Sequence, residues 1–239
     1  MLLFDIETLA RPEALSALPD PTAPTTYKDP TKIAEYVERK RADQFAAAAL
    51  DPDTARVVSI AWRDAEKRDA EIEVYAINVN GDDVTKLRVP AGARATIYPD
   101  NERDFEGEIL KRFWNALTEH RGCSTGYNIL GFDYPFMLRR SMALGVRPDI
   151  LPRLARYQDA PTRDLYALLY NWQPGKGLKT VCELYGIENP LARFDGGDFA
   201  NMSLQERVDY AVNDVRLTRE LYLRMSGVYW AREDAEFPF

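Results

Sequence analysis

Five side chains on three separated segments point to one kind of chemistry. Asp5 and Glu7 stand two apart in Leu2-Leu-Phe-Asp-Ile-Glu7, an apolar run that reads as a short strand. Residues two apart on a strand share a face, so both carboxylates can converge on one hard cation. A lone D-x-E triplet is a weak signal, because many are solvated strand edges. The flanking Leu2, Leu3, Phe4 and Ile6 argue instead for a central strand, whose acids need a metal or a partner. A third carboxylate, Asp133, falls where a predicted strand hands over to a helix, a common place for sites. Taken singly, it reads as well as the N-cap of the helix carrying Pro135. Near the end, Tyr210 and Asp214 lie at i and i+4, one above the other on a helix face. They are an acid with a water-orienting hydroxyl or, in isolation, a surface pair. Four acids brought together would repel one another, and divalent cations are the natural neutralisers.

The elements that must position these residues are legible in outline. After the first strand, residues 11–30 hold five prolines and no apolar period, which predicts a long surface loop. Asp29-Pro30 then opens a helix, with Asp29 as N-cap and Pro30 at the first helical position, running to about Leu50. Residues 11–52 together read as an insertion after the first strand, placed to cover a substrate channel. Arg56–Trp62 and Glu71–Val79 are β-rich and predict, with the first strand, a meander of three strands. A helix opening at Asp100-Asn-Glu carries Phe105, Ile109, Phe113 and Leu117 at helical spacing. A strand at 122–127 and a helix at 132–144 ending at Gly145 follow, with helices at 163–170 and 178–185. The last helix starts at Ser203, where Ser-Leu-Gln-Glu206 is a capping box, and runs towards Met225. No repeat or composition break divides the chain, so a single α/β layer structure with a mixed sheet is expected.

Composition sets the limits. At 239 residues with 46% hydrophobic and 29% charged positions, the chain can bury a full core. It has no apolar run of membrane-spanning length, and an acid at position 5 interrupts any signal-peptide pattern, so export and membrane insertion are not expected. Cys123 and Cys182 form no C-x-x-C pattern, which predicts buried thiols in a reducing cytoplasm. A net charge of −7 argues against binding nucleic acid through bulk positive potential, so a polyanion must be met locally, through metal ions. Residues 139–193 nevertheless carry nine Lys or Arg against five acids. From counting alone, solvated helix faces are the simpler reading of that excess.

Phe4-Asp-Ile-Glu-Thr8, the N-x-x-x-F-D-x-P-x-x-x-R run from Asn128 to Arg139, and Tyr210-x-x-x-Asp214 together resemble the three exonuclease motifs of the DEDDy branch of the DEDD superfamily. The likeness is nearest to the proofreading domain of family B DNA polymerases and its free-standing, phage-type relatives, and it spans the chain from Asp5 to Asp214. It implies an RNase H-like mixed β-sheet flanked by helices in a single domain. It also implies metal-dependent 3′–5′ hydrolysis of single-stranded DNA ends, releasing nucleoside 5′-monophosphates, in the cytoplasm of a bacterial or phage-infected cell. By that resemblance Asp5, Glu7 and Asp214 hold one Mg²⁺ and Asp5 bridges to a second, supported by Asp133 directly or through water, with Mn²⁺ a substitute. Tyr210 orients the attacking water, the task of histidine in the sister branch. His120 precedes the Asn128 motif, does not match that branch, and reads as a polar cap at a helix C-terminus. Thr8, Leu9, Asn128 and Phe132 match positions that hold the terminal nucleotides. A separate DNA polymerase or replisome component is the implied partner. RNA in place of DNA, and a non-catalytic nucleic-acid-binding or docking module, are the competing readings. The Gly175-Lys-Gly-Leu-Lys179 loop either reaches phosphates further along the strand or is a plain flexible turn. Glu236-Phe-Pro-Phe239 is either a docking tail or a packing segment.

Overall fold

The computed structural model describes residues 1–101, 105–194 and 196–230. The tail at 236–239 and residues 102–104, which include the Glu102 of the expected Asp100-Asn-Glu helix start, lie outside the described residues. Six strands form one mixed sheet: β1 (Leu2–Ala10), β2 (Ala55–Asp64), β3 (Ile72–Asn78), β4 (Ala93–Pro99), β5 (Ser124–Gly126) and β6 (Thr162–Asp164), in the order β4-β3-β2-β1-β5-β6. The expected meander is present, since β1 pairs antiparallel with β2 and β2 antiparallel with β3. On the other side of β1, β5 and β6 run parallel to it and to each other. β1 is therefore central, as its apolar composition predicts. Neither β4, parallel to β3 at an edge, nor the three-residue β6 is expected from the sequence pattern.

Alternation along β1 divides the core in two. Leu2, Phe4 and Ile6 face α3 (Phe105–Glu119) and α4 (Asp133–Leu144), where Phe4 packs on Phe113 and Tyr134. Leu3 faces the opposite layer, formed by α5 (Leu165–Tyr170), α6 (Leu178–Leu184) and α7 (Leu204–Met225). Asp5 and Glu7 continue the Leu3 face, so period-two geometry aims both at the α7 layer. The β1–β2 register shifts between Glu7 and Thr8, placing a bulge beside the acids, where bulges commonly re-aim side chains.

Local signals set the helix ends. Ser203 and Glu206 form the reciprocal capping box of α7, with the Ser203 N–H donating to Glu206 Oε2 at 2.9 Å. Across the sheet, Arg140 of α4 forms a buried pair with Glu106 of α3, which also accepts the Val57 N–H of β2 at 2.9 Å. The pair ties the helix that begins at Asp133 to the sheet.

The insertion differs in part from expectation. Pro12–Ser16 forms a short helix, α1, inside the expected loop, with Pro12 at a first-turn position and Glu13 favoured by the helix dipole. The long helix α2 (Pro30–Leu50) starts as predicted, with Asp29 accepting from the Thr31 N–H at 2.9 Å. Only Ala48 of its 21 residues is buried. Its last turn is fastened to β1, because the Thr8 hydroxyl donates to the Ala49 carbonyl at 2.7 Å. Helix α5 starts two residues later than predicted, because Arg163 and Asp164 are used in β6. Cys182 is buried, whereas Cys123 is only half-buried, and both thiols are free. His120 ends its helix with Nδ1 2.8 Å from the Ala116 carbonyl and Nε2 facing Asp64 at 3.6 Å. No helix among the described residues is long and apolar enough to cross a membrane.

Candidate active site

The parallel half of the sheet builds the site, where the C-terminal ends of β1, β5 and β6 converge beside α7. Asp5, Glu7 and Asp214 each place a carboxylate oxygen within 4.8 Å of the others. Burial raises the proton affinity of all three above the usual carboxylate range. For Asp5 the charges of Glu7, Asp133 and Asp214 add to it, and for Glu7 the charge of Asp214 does. Lys179 is the cation that opposes the rise in each case.

Asp133 approaches from the opposite layer. The cap of α4 is Phe132, with no side-chain bond, so the N-cap reading of Asp133 is corrected: it is the first residue inside the helix. From that position its carboxylate accepts from its own backbone N–H and from the N–H of Ile6, and both hydrogen bonds oppose the effect of burial. Burial wins and pushes its pKa up to about 8, with Asp164 contributing repulsion. Asp133 is not part of the three-carboxylate group, but it lines with Asp5, Asn128 and Phe132 an open cleft of about 290 Å³. Asn128 is held there at φ +64 by Asp164, whose two oxygens accept the N–H groups of Asn128 and Leu130, both at 2.9 Å. Asp164 also accepts from Ala167 as the N-cap of α5. It is a buried positioning residue that motif spacing does not single out.

Tyr210 and Asp214 share a face of α7, as their spacing predicts, and are buried at 4% and 7% exposure. The Tyr210 hydroxyl bonds to Asp214, and burial with the nearby acids raises its proton affinity. Lys179 enters this geometry although the motifs do not include it. Its ammonium donates to the Tyr210 hydroxyl at 2.7 Å and to the Phe194 carbonyl at 2.9 Å, and lies 3.9 Å from Asp214 Oδ2. A second cleft, of about 310 Å³, is lined by Lys179, Gly196, Tyr210 and Asp214 and shares Gly177 and Leu178 with the first. The start of α6 thus divides the two. A lysine in the first turn of a helix opposes the macrodipole, which is the one local sign that acids face it.

The loop before Lys179 is not a free turn. Tyr127 donates its hydroxyl to the Lys176 carbonyl, and the Gly175 N–H donates to Tyr166 Oη at 2.6 Å. The Gly175 backbone lies against the Tyr170 ring so closely that a Cβ there would sit 2.2 Å from it. Thr8 and Leu9, in contrast, line neither cleft. The Thr8 hydroxyl proton is committed to α2, and Leu9 packs on the small cluster of Val58, Phe199, Met202 and Tyr210.

The fold, a mixed six-stranded sheet flanked by helices in one domain, is the RNase H-like α/β architecture. It is similar to a solved structure described as the family B DNA polymerase from the hyperthermophilic archaeon Pyrobaculum calidifontis, with a TM-score of 0.51 and 20% identity. The likeness covers 94% of this chain and 24% of that one, so the chain spans about a quarter of the polymerase, and at this identity it speaks to fold alone. Over residues 53–233 the chain matches the family described as a predicted 3′-5′ exonuclease related to the exonuclease domain of PolB, and it belongs to that family. The matched span holds Asp133, Lys179, Tyr210 and Asp214; Asp5 and Glu7 lie before it and are joined to them by the geometry of β1. No curated protein matches the chain.

Proposed function

We propose that the protein is a divalent-metal-dependent 3′–5′ exonuclease that trims single-stranded DNA and releases nucleoside 5′-monophosphates. The observation that carries this reading is the convergence of Asp5, Glu7 and Asp214 within 4.8 Å beside Tyr210. Three carboxylates with raised proton affinity, Asp214 buried and Asp5 and Glu7 half-buried, form an all-oxygen donor set that Lys179 leaves under-neutralised, which suits hard cations such as Mg²⁺ or Mn²⁺. Asp5, Glu7 and Asp214 would hold one ion and Asp133 would support a second at Asp5. Such ions, when bound, supply an acidified water and neutralise charge on the phosphate.

The chain's own residues do the positioning. Tyr210, fixed between Asp214 and Lys179, offers its hydroxyl oxygen to orient the attacking water. Lys179 holds a positive charge where negative charge grows on the phosphate, a preorganised electrostatic contribution. Phe132 and Asn128, in the cleft with Asp5, hold the terminal nucleotide by stacking and hydrogen bonding, which tolerates any base. The cover formed by residues 11–52 rests against β1 and limits which ends enter. Proofreading for a separate polymerase is the role that the family relationship favours.

Digestion of 5′-labelled single-stranded DNA and an identical RNA, with Mg²⁺ or with EDTA, tests the reading. A Mg²⁺-dependent ladder that shortens DNA from the 3′ end, absent in Asp5→Ala, is expected. Faster RNA cleavage would move the substrate to RNA, and undiminished cleavage by Asp5→Ala would refute the assigned site.

A further inference from the structure

Beyond the two clefts, the structure places an aromatic and basic strip that the motifs do not mention. It starts at Tyr166, which lines the cleft beside Asp5 and Asp133. Tyr166 packs on Tyr170 with ring centroids 5.2 Å apart, and α5 ends there. Asn171 and Trp172 then both adopt left-handed backbone, at φ +48 and +59. This conformation is disfavoured for residues other than glycine, and for a bulky aromatic it is a true outlier. The turn carries the Trp172 ring to Tyr157, 4.8 Å between centroids, and Tyr157 is itself left-handed at φ +62. Among the described residues the buried Trp172 Nε1 has no acceptor. The fold therefore accepts two strained aromatics and an unmet donor to hold this pair, and Tyr157 is still 69% exposed.

Charge accompanies the rings. The basic excess expected on solvated helix faces lies elsewhere: Arg147, Arg153 and Arg156 are exposed on the irregular segment 145–161, which also carries Tyr157. None of the three has an acidic partner among the described residues, whereas Asp159, in the same segment, is paired with Arg163. A net-acidic protein thus shows unneutralised arginines beside an exposed Tyr157 and a half-buried Trp172, joined through the turn after Tyr170 to the cleft-lining Tyr166.

We propose that this strip is the track for the single strand upstream of its 3′ end, with bases stacking on Tyr157 and Trp172 and phosphates meeting Arg153 and Arg156. The occupant follows from the chemistry: stacking platforms interleaved with cations fit a flexible polyanion with exposed bases, and a duplex would hide the bases the rings need. The proposal rests on the exonuclease reading for its direction but not for its surface. An apolar plug that merely anchors segment 145–161 is the competing role for the same rings.

The test uses the full-length chain and two variants of exposed residues, Tyr157→Ala and the double Arg153→Ser, Arg156→Ser. Each is assayed on a thymidine 5′-phosphate nitrophenyl ester, which reaches only the clefts, and on oligothymidylate of about twelve nucleotides, within the span such surfaces bind. The ratio of kcat/KM for the oligomer to that for the ester is expected to fall about tenfold in each variant. The slope of log KM against log salt on the oligomer should also fall by about 1.4 in the arginine variant, from about 0.7 per phosphate contact. Ratios and salt slope equal to the parent's would overturn the track and leave the rings as an anchor. If no substrate is cleaved with Mg²⁺ or Mn²⁺, the exonuclease reading fails by itself. Binding of labelled oligothymidylate then decides the strip, unweakened binding in both variants overturning it.

Discussion

Asp133→Asn should make the metal-free protein more stable while impairing catalysis. The carboxyl is buried at 3% exposure, and its pKa is pushed to about 8, against an ordinary 3.8. A carboxyl that binds its proton more tightly in the folded state contributes stability below the unfolded-state pKa, and loses it as pH climbs towards the folded-state value. The window is therefore about pH 4 to 8, with stability falling as pH rises. At about 1.4 kcal/mol for each tenfold change in proton affinity, the penalty at the top of that window is at most about 6 kcal/mol. Asparagine keeps an oxygen for the Ile6 N–H but gives up a charge that the α4 dipole favours by ~0.3–1 kcal/mol, and the site relaxes around any charge. The expected gain is ~1–3 kcal/mol near pH 8, or a Tm rise of ~2–10 °C for a chain of this size. Thermal unfolding in EDTA, followed from about pH 5 to about pH 8, should show the gap between variant and parent widening with pH. Excess Mg²⁺ should narrow or reverse it, because cations stabilise only the form that binds them. A variant no more stable than the parent near pH 8 in EDTA, or a gap independent of pH, would refute the account of a charge-strained cluster.

Lys179→Met should act with the opposite sign on stability, lowering the metal-free Tm because a cation opposing three acids is gone; nuclease activity should fall on the order of 10²-fold. Full activity would remove Lys179 from the mechanism. Arg140→Met leaves Glu106 buried without its guanidinium and should cost about 3–5 kcal/mol in urea unfolding, with most of the loss recovered when Glu106→Gln is added. Gly175→Ala drives a methyl into the Tyr170 ring and should displace the loop leading to Lys179, so that activity falls much more than Tm; Tyr170→Ala in the same chain should restore part of it. Activity unchanged in Gly175→Ala would show that the loop does not need its present seat.

What could be read from the sequence was what local physics writes locally. The period-two pattern of β1 marks a central strand and aims Asp5 and Glu7 together; the Asp29-Pro30 start of α2 and the Ser203–Glu206 box of α7 are complete within four residues. What could not be read depends on partners distant in the chain. Three residues at Thr162–Asp164 have no periodicity of their own and become a strand only because β5 offers an edge. The left-handed turn at Trp172 makes sense only against Tyr157. The alternative reading of Asp133 as a helix cap fails by one position, because Phe132 stands at the cap of α4 without a capping side chain.

These long-range features share a location, and that bears on how the site works. β1 is the seam of the sheet. On its antiparallel side, the meander with β2 and β3 is apolar and locally determined, and its burial anchors the strand. On its parallel side, β5 and β6 are three residues each, too short to contribute much burial, yet β5 leads into the turn that holds Asn128 and β6 ends on the Asp164 that cradles it. The chain thus anchors its acids on the stable half and builds the adjustable walls on the weak half. Opening of the cleft for a strand end should accordingly begin at β5, β6 and the tyrosine-held loop. Amide exchange that is faster at 162–178 than at 56–64 in the metal-free protein is the expected sign; the reverse order would place the motion in the meander.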